Sequence, residues 1–296
     1  MKIKKAVITA GGLGTRLLPA TKVVPKEMIA IVDKPAIQYI AEECVAAGIT
    51  DILIITAKGK QAIEEHFGRS HELETRLGES GKTELLENVR SISSAADFSF
   101  VRQPVQNGLG GAILCAEEFA GGEPFAVLYG DDVIVGEDPA IGQLSRAYEK
   151  YGKSVVGINR VPLEDISKYS SMKLEKMEEN GLYAISDMIE KPQKGEEFSD
   201  FAILGRCILE PNIFDVLRRI PTGKGGELQL TDAMREVAVS DGVIGVDFKG
   251  NRYDIGSRMG IIKASIEVGL MREELHAELA EYIKTLAEKL DTMREF

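Results

Sequence analysis

The residues best suited to phosphate chemistry lie near the amino end of this chain. Ala10, Gly11, Gly12, Gly14 and Thr15 form a glycine-rich turn directly after the apolar run Ala6–Thr9. Arg16, Lys22 and Lys26 follow within one short stretch. Glycines at a strand end let backbone N–H groups approach a phosphate chain, and three nearby cations suit a triphosphate. The letters do not match the two common phosphate loops. Gly12-x-Gly14-x-x-Leu17 lacks the third glycine of the dinucleotide fingerprint, and no Gly-Lys-Ser/Thr follows. Pro19 and Pro25 also prevent an uninterrupted helix from starting at the turn.

Carboxylates supply a second group. Asp131 and Asp132 follow the strand-like run Pro124–Tyr129 and Gly130, while Asp254 follows the strand-like run Val243–Phe248 and a turn near Gly250 and Asn251. Two aspartates from separate strand ends are the hard oxygen ligands that Mg²⁺ takes together with waters and phosphate oxygens. As turn formers or helix caps they would be equally ordinary. Glu190-Lys191-Pro192 closes a long hairpin, where the proline stops the strand and fixes the two side chains before it. Such a carboxylate can accept hydrogen bonds from sugar hydroxyls while the ammonium meets a phosphate. Taken alone, Lys191 reads more readily as a solvated surface lysine and Gln103 as an ordinary strand-end residue.

The elements that must position these groups alternate. Strand-like Lys5–Ala10 and Asp51–Ala57 are separated by a helical pattern over Pro35–Ala47, and a further helical pattern covers Gln61–Phe67. Strand-like Ser99–Arg102 and Pro124–Tyr129 bracket a helix over Leu109–Phe119, with another helix over Ile141–Tyr151. The alternation predicts an α/β, doubly wound, mostly parallel mixed sheet. Beyond Ser154–Ile158, the runs Met172–Met177 and Leu182–Ile189 flank Asn180-Gly181, a hairpin signal read as an inserted sugar-side β-hairpin subdomain. The last stretch carries Leu270, Leu275, Leu279, Ile283, Leu286 and Leu290 at helical spacing, for packing on its own domain or for a subunit interface.

The 296 residues carry a formal net charge of −11, which argues against a nucleic-acid or anionic-membrane partner. No secretory apolar segment and no spanning stretch is read, so a cytoplasmic location is expected. Cys44, Cys115 and Cys207 lack metal-type spacing and read as small core residues.

The run from Gly11 to Met28, with Pro25-Lys26-Glu27-Met28 at its end, closely resembles the signature of sugar-1-phosphate nucleotidylyltransferases. Its Pro-Lys-Glu-Met form is similar to the bacterial UTP–glucose-1-phosphate uridylyltransferase branch. The resemblance continues through Val101-Arg-Gln103, Gly108-Leu-Gly110, Glu190-Lys191-Pro192, Gly225–Asp232 and Tyr253-Asp254-Ile-Gly256, covering nearly the whole chain. It implies a Rossmann-like or GT-A-like nucleotidyltransferase fold in one domain, 1–296. The nucleotide-binding half is 1–158, the sugar-binding half 159–255, and helices fill 256–296. It implies that Gln103, the Gly108 backbone and Glu27 lie near the pyrimidine, that Asp131 and Asp254 hold Mg²⁺, and that Asp132 falls nearer the sugar. Ser170, Glu190, Lys191 and Glu227 are the implied sugar contacts.

The reaction so implied joins UTP to a sugar 1-phosphate, with Arg16, Lys26 and Lys191 stabilising charge. No general base is needed, because the attacking phosphate is already ionised. The expected chain is a homo-oligomer, dimer or tetramer, acting on UTP and glucose 1-phosphate. A thymidylyltransferase, a uridylyltransferase for another sugar, a GT-A glycosyltransferase and a non-catalytic nucleotide-sugar sensor are the competing readings. The chain departs from the family at two positions. Ser170 stands where a glycine backbone usually meets the hexose, and Gly111 stands where a histidine is frequent and reads as a helix residue of free identity.

Overall fold

The computed structural model describes residues 1–290, with the side chain of Lys224 excepted. β1 (Lys5–Thr9) leads to a short ribbon, β2 (Ala30–Ile31) and β3 (Lys34–Pro35), and then to β4 (Asp51–Thr56), β5 (Asp97–Arg102) and β6 (Phe125–Tyr129). β7 (Asp132–Val135), β8 (Val155–Arg160), β9 (Ser170–Lys176) and β10 (Leu182–Glu190) follow. β11 (Phe201–Leu209), β12 (Val243–Asp247) and β13 (Asn251–Asp254) come last. One mixed sheet of nine strands runs β5-β4-β1-β6-β11-β8-β12-β10-β9. β4 and β6 flank β1 in parallel, whereas β11 is antiparallel to both its neighbours.

The β-branched runs become central strands because both of their faces are covered. Ile8, Ile52, Ile54 and Leu128 pack with Ile37, Ile40 and Leu144 on one face. Val7, Leu53 and Ile55 pack with Ile113, Leu217 and Met234 on the other. Successive side chains thus feed opposite layers, and each fully buried Leu or Ile contributes about 1.5–3 kcal/mol. Cys44 and Cys207 lie in these layers as buried free thiols, and Cys115 is half-buried.

This arrangement is the doubly wound α/β sheet expected from the alternation. After β1 the chain passes to β4 on one side and returns later to β6 on the other. That reversal opens a crevice beyond the carboxyl ends of β1 and β6, where the glycine-rich turn and Asp131 emerge.

The hairpin around Asn180-Gly181 is β9–β10, set on the sheet as expected: it pairs through β10 with β12 and extends the main sheet at its edge. One expectation is corrected: the helix over Leu109–Phe119 is two helices, Leu109–Leu114 and Glu117–Ala120. The carboxyl-terminal helices are Arg258–Met271 and Glu273–Lys289, and residues 291–296 of the expected 256–296 segment lie outside the described residues. Arg272 stands between those helices with its guanidinium on Asp33, 2.7 Å away. Among the described residues no helix is long and apolar enough to cross a membrane.

Candidate active site

The glycine-rich turn leaves β1 anchored on both sides. Ala10 N donates to Ile55 O at 2.8 Å and Gly130 N donates to Thr9 O at 2.9 Å. Gly14 takes φ 67°, a conformation that glycine adopts without steric cost, and Thr21 Oγ1 ties its carbonyl at 2.8 Å. The prolines act as the sequence predicts. Three short 3-10 turns, Thr15–Leu17, Ala20–Lys22 and Lys26–Met28, replace a Rossmann helix. The last turn carries Lys26 back over the glycines, with Nζ 3.2 Å from where a Cβ on Gly12 would stand. Lys22, by contrast, is exposed and lines neither cavity described below.

Lys26 Nζ donates to Asp131 Oδ2. Burial alone would lower the lysine and raise the aspartate. Their charge and hydrogen bond outweigh burial, so Lys26 is held above and Asp131 below its ordinary range.

The ribbon β7–β13 brings the third carboxylate in, because its register sets Asp254 opposite Asp132. Ile255 N then donates to Asp131 O at 2.8 Å, and Arg16 Nη1 reaches Asp254 Oδ2 at 3.4 Å. Gly256 lies beneath this cluster. A Cβ there would be 2.5 Å from Arg16 Nη2 and 3.0 Å from both Asp131 Oδ2 and Asp254 Oδ1. A glycine at 256 leaves that space clear. Among the described residues no group of three or more His, Cys, Asp or Glu side chains gathers as a metal cage. Two converging carboxylates without a third fit Mg²⁺, which completes its shell with water and phosphate oxygens.

Two cavities open on either side of Asp131. The first, about 480 Å³, is lined by Gly11, Gly14, Thr15, Gln103 and Gly108. The second, about 350 Å³, is lined by Asp132, Ser170, Glu190, Lys191 and Asp254. They share Leu109, Tyr129 and Asp131. The residues expected on the nucleotide and on the sugar are thereby sorted into two neighbouring spaces, with two exceptions. Ala10, expected on the nucleotide, is fully buried and lines neither cavity. Glu227, expected on the sugar, lines the first cavity instead, because Leu228 N donates to Asn107 O at 2.7 Å and Gly110 N to Leu228 O at 2.9 Å.

In the first cavity, Glu27 is fully buried and its carboxylate accepts from Lys60 Nζ at 2.8 and 2.7 Å. Burial pushes Glu27 up and Lys60 down, against their mutual attraction. Lys60 had no signal in the sequence beyond a charge at the start of the Gln61–Phe67 helix. Gln103 Nε2 donates to Asn107 Oδ1 at 3.2 Å and to Gly108 O at 3.4 Å. A side chain at Gly111 would require the exposed Asn107 amide to move. A Cβ there would fall 1.7 Å from Asn107 Oδ1.

In the second cavity, Asp132 meets Arg252 Nη2 at 2.5 Å, and the Arg252 guanidinium lies 5.2 Å from the Tyr169 ring. Burial pushes the Asp132 carboxyl up to about 6, against the pull of Arg252. The Arg252 contact is made by Asp132 Oδ1, whereas Arg252 Nε is buried without a hydrogen-bond partner. Glu190 accepts from Thr231 Oγ1 at 2.8 Å, and Lys191 Nζ lies 3.6 Å from Glu190. Lys191 is held at φ 45° by its N–H bond to Tyr169 O at 2.8 Å, a left-handed conformation that a non-glycine residue adopts at some cost. Ser170 Oγ accepts from Ile203 N at 3.4 Å.

Arg206 underpins the aspartates from below and was not singled out in the sequence, although it is the one charged letter in the run Phe201–Leu209. Fully buried, it donates through Nη2 to Glu43 Oε2 at 2.6 Å and to Asp132 O at 2.9 Å. Arg252 and Gly256 were also missed as functional residues, although both sit beside Asp254 in the sequence.

Comparison with known proteins places this geometry. A family model described as nucleotidyl transferase matches residues 5–269. UTP–glucose-1-phosphate uridylyltransferase YngB of Bacillus subtilis (strain 168) is 50% identical over 288 residues, covering 97% of each chain. A crystal structure of UDP-glucose pyrophosphorylase complexed with UDP-glucose superposes with a TM-score of 0.84 at 42% identity, covering 91% of this chain and 100% of that one. The UTP-bound enzyme of Acinetobacter baumannii gives a TM-score of 0.88 at 35% identity, covering 95% and 98%. A match of this extent, with the cradle, cations and paired aspartates in one crevice, means that the chain belongs to the nucleotidyl transferase family.

Proposed function

We propose that the chain transfers a uridylyl group from UTP to glucose 1-phosphate, giving UDP-glucose and pyrophosphate. The observation that carries this reading is the meeting of two cavities at Asp131, with Lys26, Arg16 and Asp254 at the junction. A nucleotide on one side and a sugar phosphate on the other would join there. The relatives named above bear this activity in their names, and one is bound to UDP-glucose. The reaction lies within one domain, with 1–158 as its nucleotide-binding half and 159–255 as its sugar-binding half.

An oxygen of the sugar phosphate attacks the α-phosphorus, the bond from that phosphorus to the β-phosphate bridge breaks, and pyrophosphate leaves. Both reactants are anions, so the protein's task is to supply positive charge and alignment. Gly11, Gly12, Gly14 and Thr15 cradle the triphosphate, with Ala10 seating the turn on β4. Lys26 and Arg16 face its charge, and Lys191 holds the sugar phosphate. Gln103, the Gly108 backbone and Glu27 with Lys60 form the base side. Asp131 and Asp254 would hold Mg²⁺, which supplies charge neutralisation at the phosphates. On the sugar side, Glu190 accepts from hydroxyls beside Ser170. The unpartnered Arg252 Nε can donate to a further hydroxyl.

Pyrophosphate release from a panel of nucleoside triphosphates and sugar 1-phosphates tests the reading. Turnover with UTP and glucose 1-phosphate above dTTP and other sugars is expected. Binding without turnover would replace the reading with a nucleotide-sugar sensor.

Asp131→Asn and Asp254→Asn are each expected to raise the Mg²⁺ concentration for half-maximal rate by tenfold or more, roughly 1.4 kcal/mol of metal binding. A Mg²⁺ titration that saturates at the parental concentration would remove that residue from the ligand set. Ser170→Gly is expected to keep UTP use while shifting kcat/KM between glucose 1-phosphate and other hexose 1-phosphates. An unchanged ratio across the panel would take Ser170 off the sugar.

We further assign the chain to the cytoplasm and to a homo-oligomer. Met259, Ile262 and Ile266 are exposed at helical spacing on Arg258–Met271 and offer an apolar stripe to a second copy. Light scattering that gives the monomer mass at working concentration would refute the assembly.

A further inference from the structure

Gln103 is the group that faces the nucleotide base in the reading above, and its amide orientation decides which base it accepts. A freely rotating glutamine offers either a donor or an acceptor and would serve uracil and cytosine alike. This glutamine is not free. Its side chain is buried at the end of β5, where its own N–H is taken by Thr56 O at 2.9 Å. Both recorded side-chain bonds leave from Nε2, one to the Gly108 carbonyl at 3.4 Å and one to Asn107 Oδ1 at 3.2 Å. A main-chain carbonyl only accepts, so it admits the nitrogen and not the oxygen of the amide. With both N–H groups turned toward 107 and 108, Oε1 remains for the cavity. It lies 3.2 Å from where a Cβ on Gly11 would stand, on the floor of the nucleotide side.

We propose that Asn107, seated over Gly111, is a positioning residue that locks Gln103 as an acceptor and so selects a pyrimidine with an N3–H, uracil or thymine, over cytosine. The edge of uracil carries one donor, N3–H, between two carbonyl acceptors. An acceptor-only glutamine can satisfy it at that atom alone. Cytosine presents a lone pair at the same place and would face Oε1 with two acceptors opposed. Gly111 is part of the device because a side chain there would displace Asn107. A Cβ on Gly111 would stand 1.7 Å from Asn107 Oδ1 and 2.5 Å from Asn107 Cγ. Asn107 itself is exposed, so its backbone bonds, Asn107 N to Val105 O at 3.0 Å and Leu228 N to Asn107 O at 2.7 Å, survive replacement of the side chain.

The inference rests on the uridylyltransferase reading of the first cavity, and its readout is binding, which is separable from turnover. Dissociation constants for UTP and CTP are measured by calorimetry on the parent and on Asn107→Ala, Asn107→Asp and Gly111→Ala. The parent is expected to prefer UTP. Asn107→Ala, which leaves only the 3.4 Å bond to Gly108 to hold the amide, is expected to reduce that preference about tenfold. Gly111→Ala should do the same with Asn107 still present. Asn107→Asp keeps an acceptor opposite Nε2 and should retain the parental ratio, even where its added charge weakens both nucleotides. A parent that binds UTP and CTP equally, or a folded Asn107→Ala with the parental ratio, overturns the proposal. Loss of the ratio in Asn107→Asp as well as in Asn107→Ala overturns it too. Absence of pyrophosphate release with intact UTP selectivity would instead remove the transferase reading and leave the inference standing.

Discussion

Lys26→Ala is expected to lower kcat about 10²- to 10³-fold, corresponding to roughly 3–4 kcal/mol of lost transition-state stabilisation. The magnitude follows from where the ammonium sits. Its Nζ lies over the glycine cradle and on Asp131, at the junction of the two cavities, with a side chain only 14% exposed. Charge that develops on the α-phosphate and on departing pyrophosphate meets it away from bulk water, where an ionic contact is worth most. The substitution also strands Asp131, whose carboxyl is held below its ordinary range mainly by Lys26. UTP affinity should change less than kcat, since a contact made chiefly in the transition state affects turnover most. Steady-state kinetics at saturating Mg²⁺, with the melting curve as a fold control, measures this. A folded variant that retains kcat within a few fold would leave Lys26 as a structural partner of Asp131 only.

Arg206→Met carries the largest expected cost in stability, about 3–5 kcal/mol. The arginine is fully buried and donates to Glu43 through Nε at 3.0 and 3.1 Å and through Nη2 at 2.6 Å. Removing it leaves the Glu43 carboxylate in the apolar layer between the sheet and the helix Ala36–Ala46. It also removes the donor to Asp132 O, and with it one tether of the strand end that carries Asp131. Glu43→Gln combined with Arg206→Met removes both charges while keeping an acceptor for Ile141 N, now 2.9 Å from Glu43 Oε1, and should recover much of the loss. Denaturant unfolding of parent, single and double variants reads both effects. Equal destabilisation in single and double variants would place the cost in packing and not in the stranded charge. If the double variant is stable but slow, the tether on Asp132 matters for positioning the aspartates.

The central strands were legible in the sequence because their pattern is a local property. Runs such as Asp51–Thr56 are β-branched, bounded by turn letters and separated by amphipathic helices, and burial on both faces makes them near-continuously apolar. The glycine-rich turn was legible for a related reason. Its glycines, prolines and cations act within one short segment, and the three 3-10 turns follow from Pro19 and Pro25. The helices His71–Glu79 and Thr83–Ser94 were not read, since they bury almost nothing: Glu74 alone in the first and no side chain in the second. β11 was missed although all of it is buried, because Gly205 and Arg206 interrupt its apolar run.

The sequence alone determined which chemistry the chain carries: a phosphate cradle, three cations and paired aspartates in a long ordered signature. Tertiary structure decided which of these groups work together. Asp131 and Asp254 are 123 positions apart, and only the β7–β13 register and the Ile255 N bond to Asp131 O bring them to one point over Gly256. The same pairing of Leu228 with Asn107 moved Glu227 to the nucleotide side, and the fold left Lys22 outside both cavities. Lys60 beneath Glu27, Arg252 on Asp132 and Asn107 over Gly111 are contacts whose partners the letters do not name. The physical reason is that propensity and periodicity act over a few residues. Hydrogen-bond orientation, ion pairing and the space above a glycine are set by atoms that only the closed sheet brings within a few ångströms.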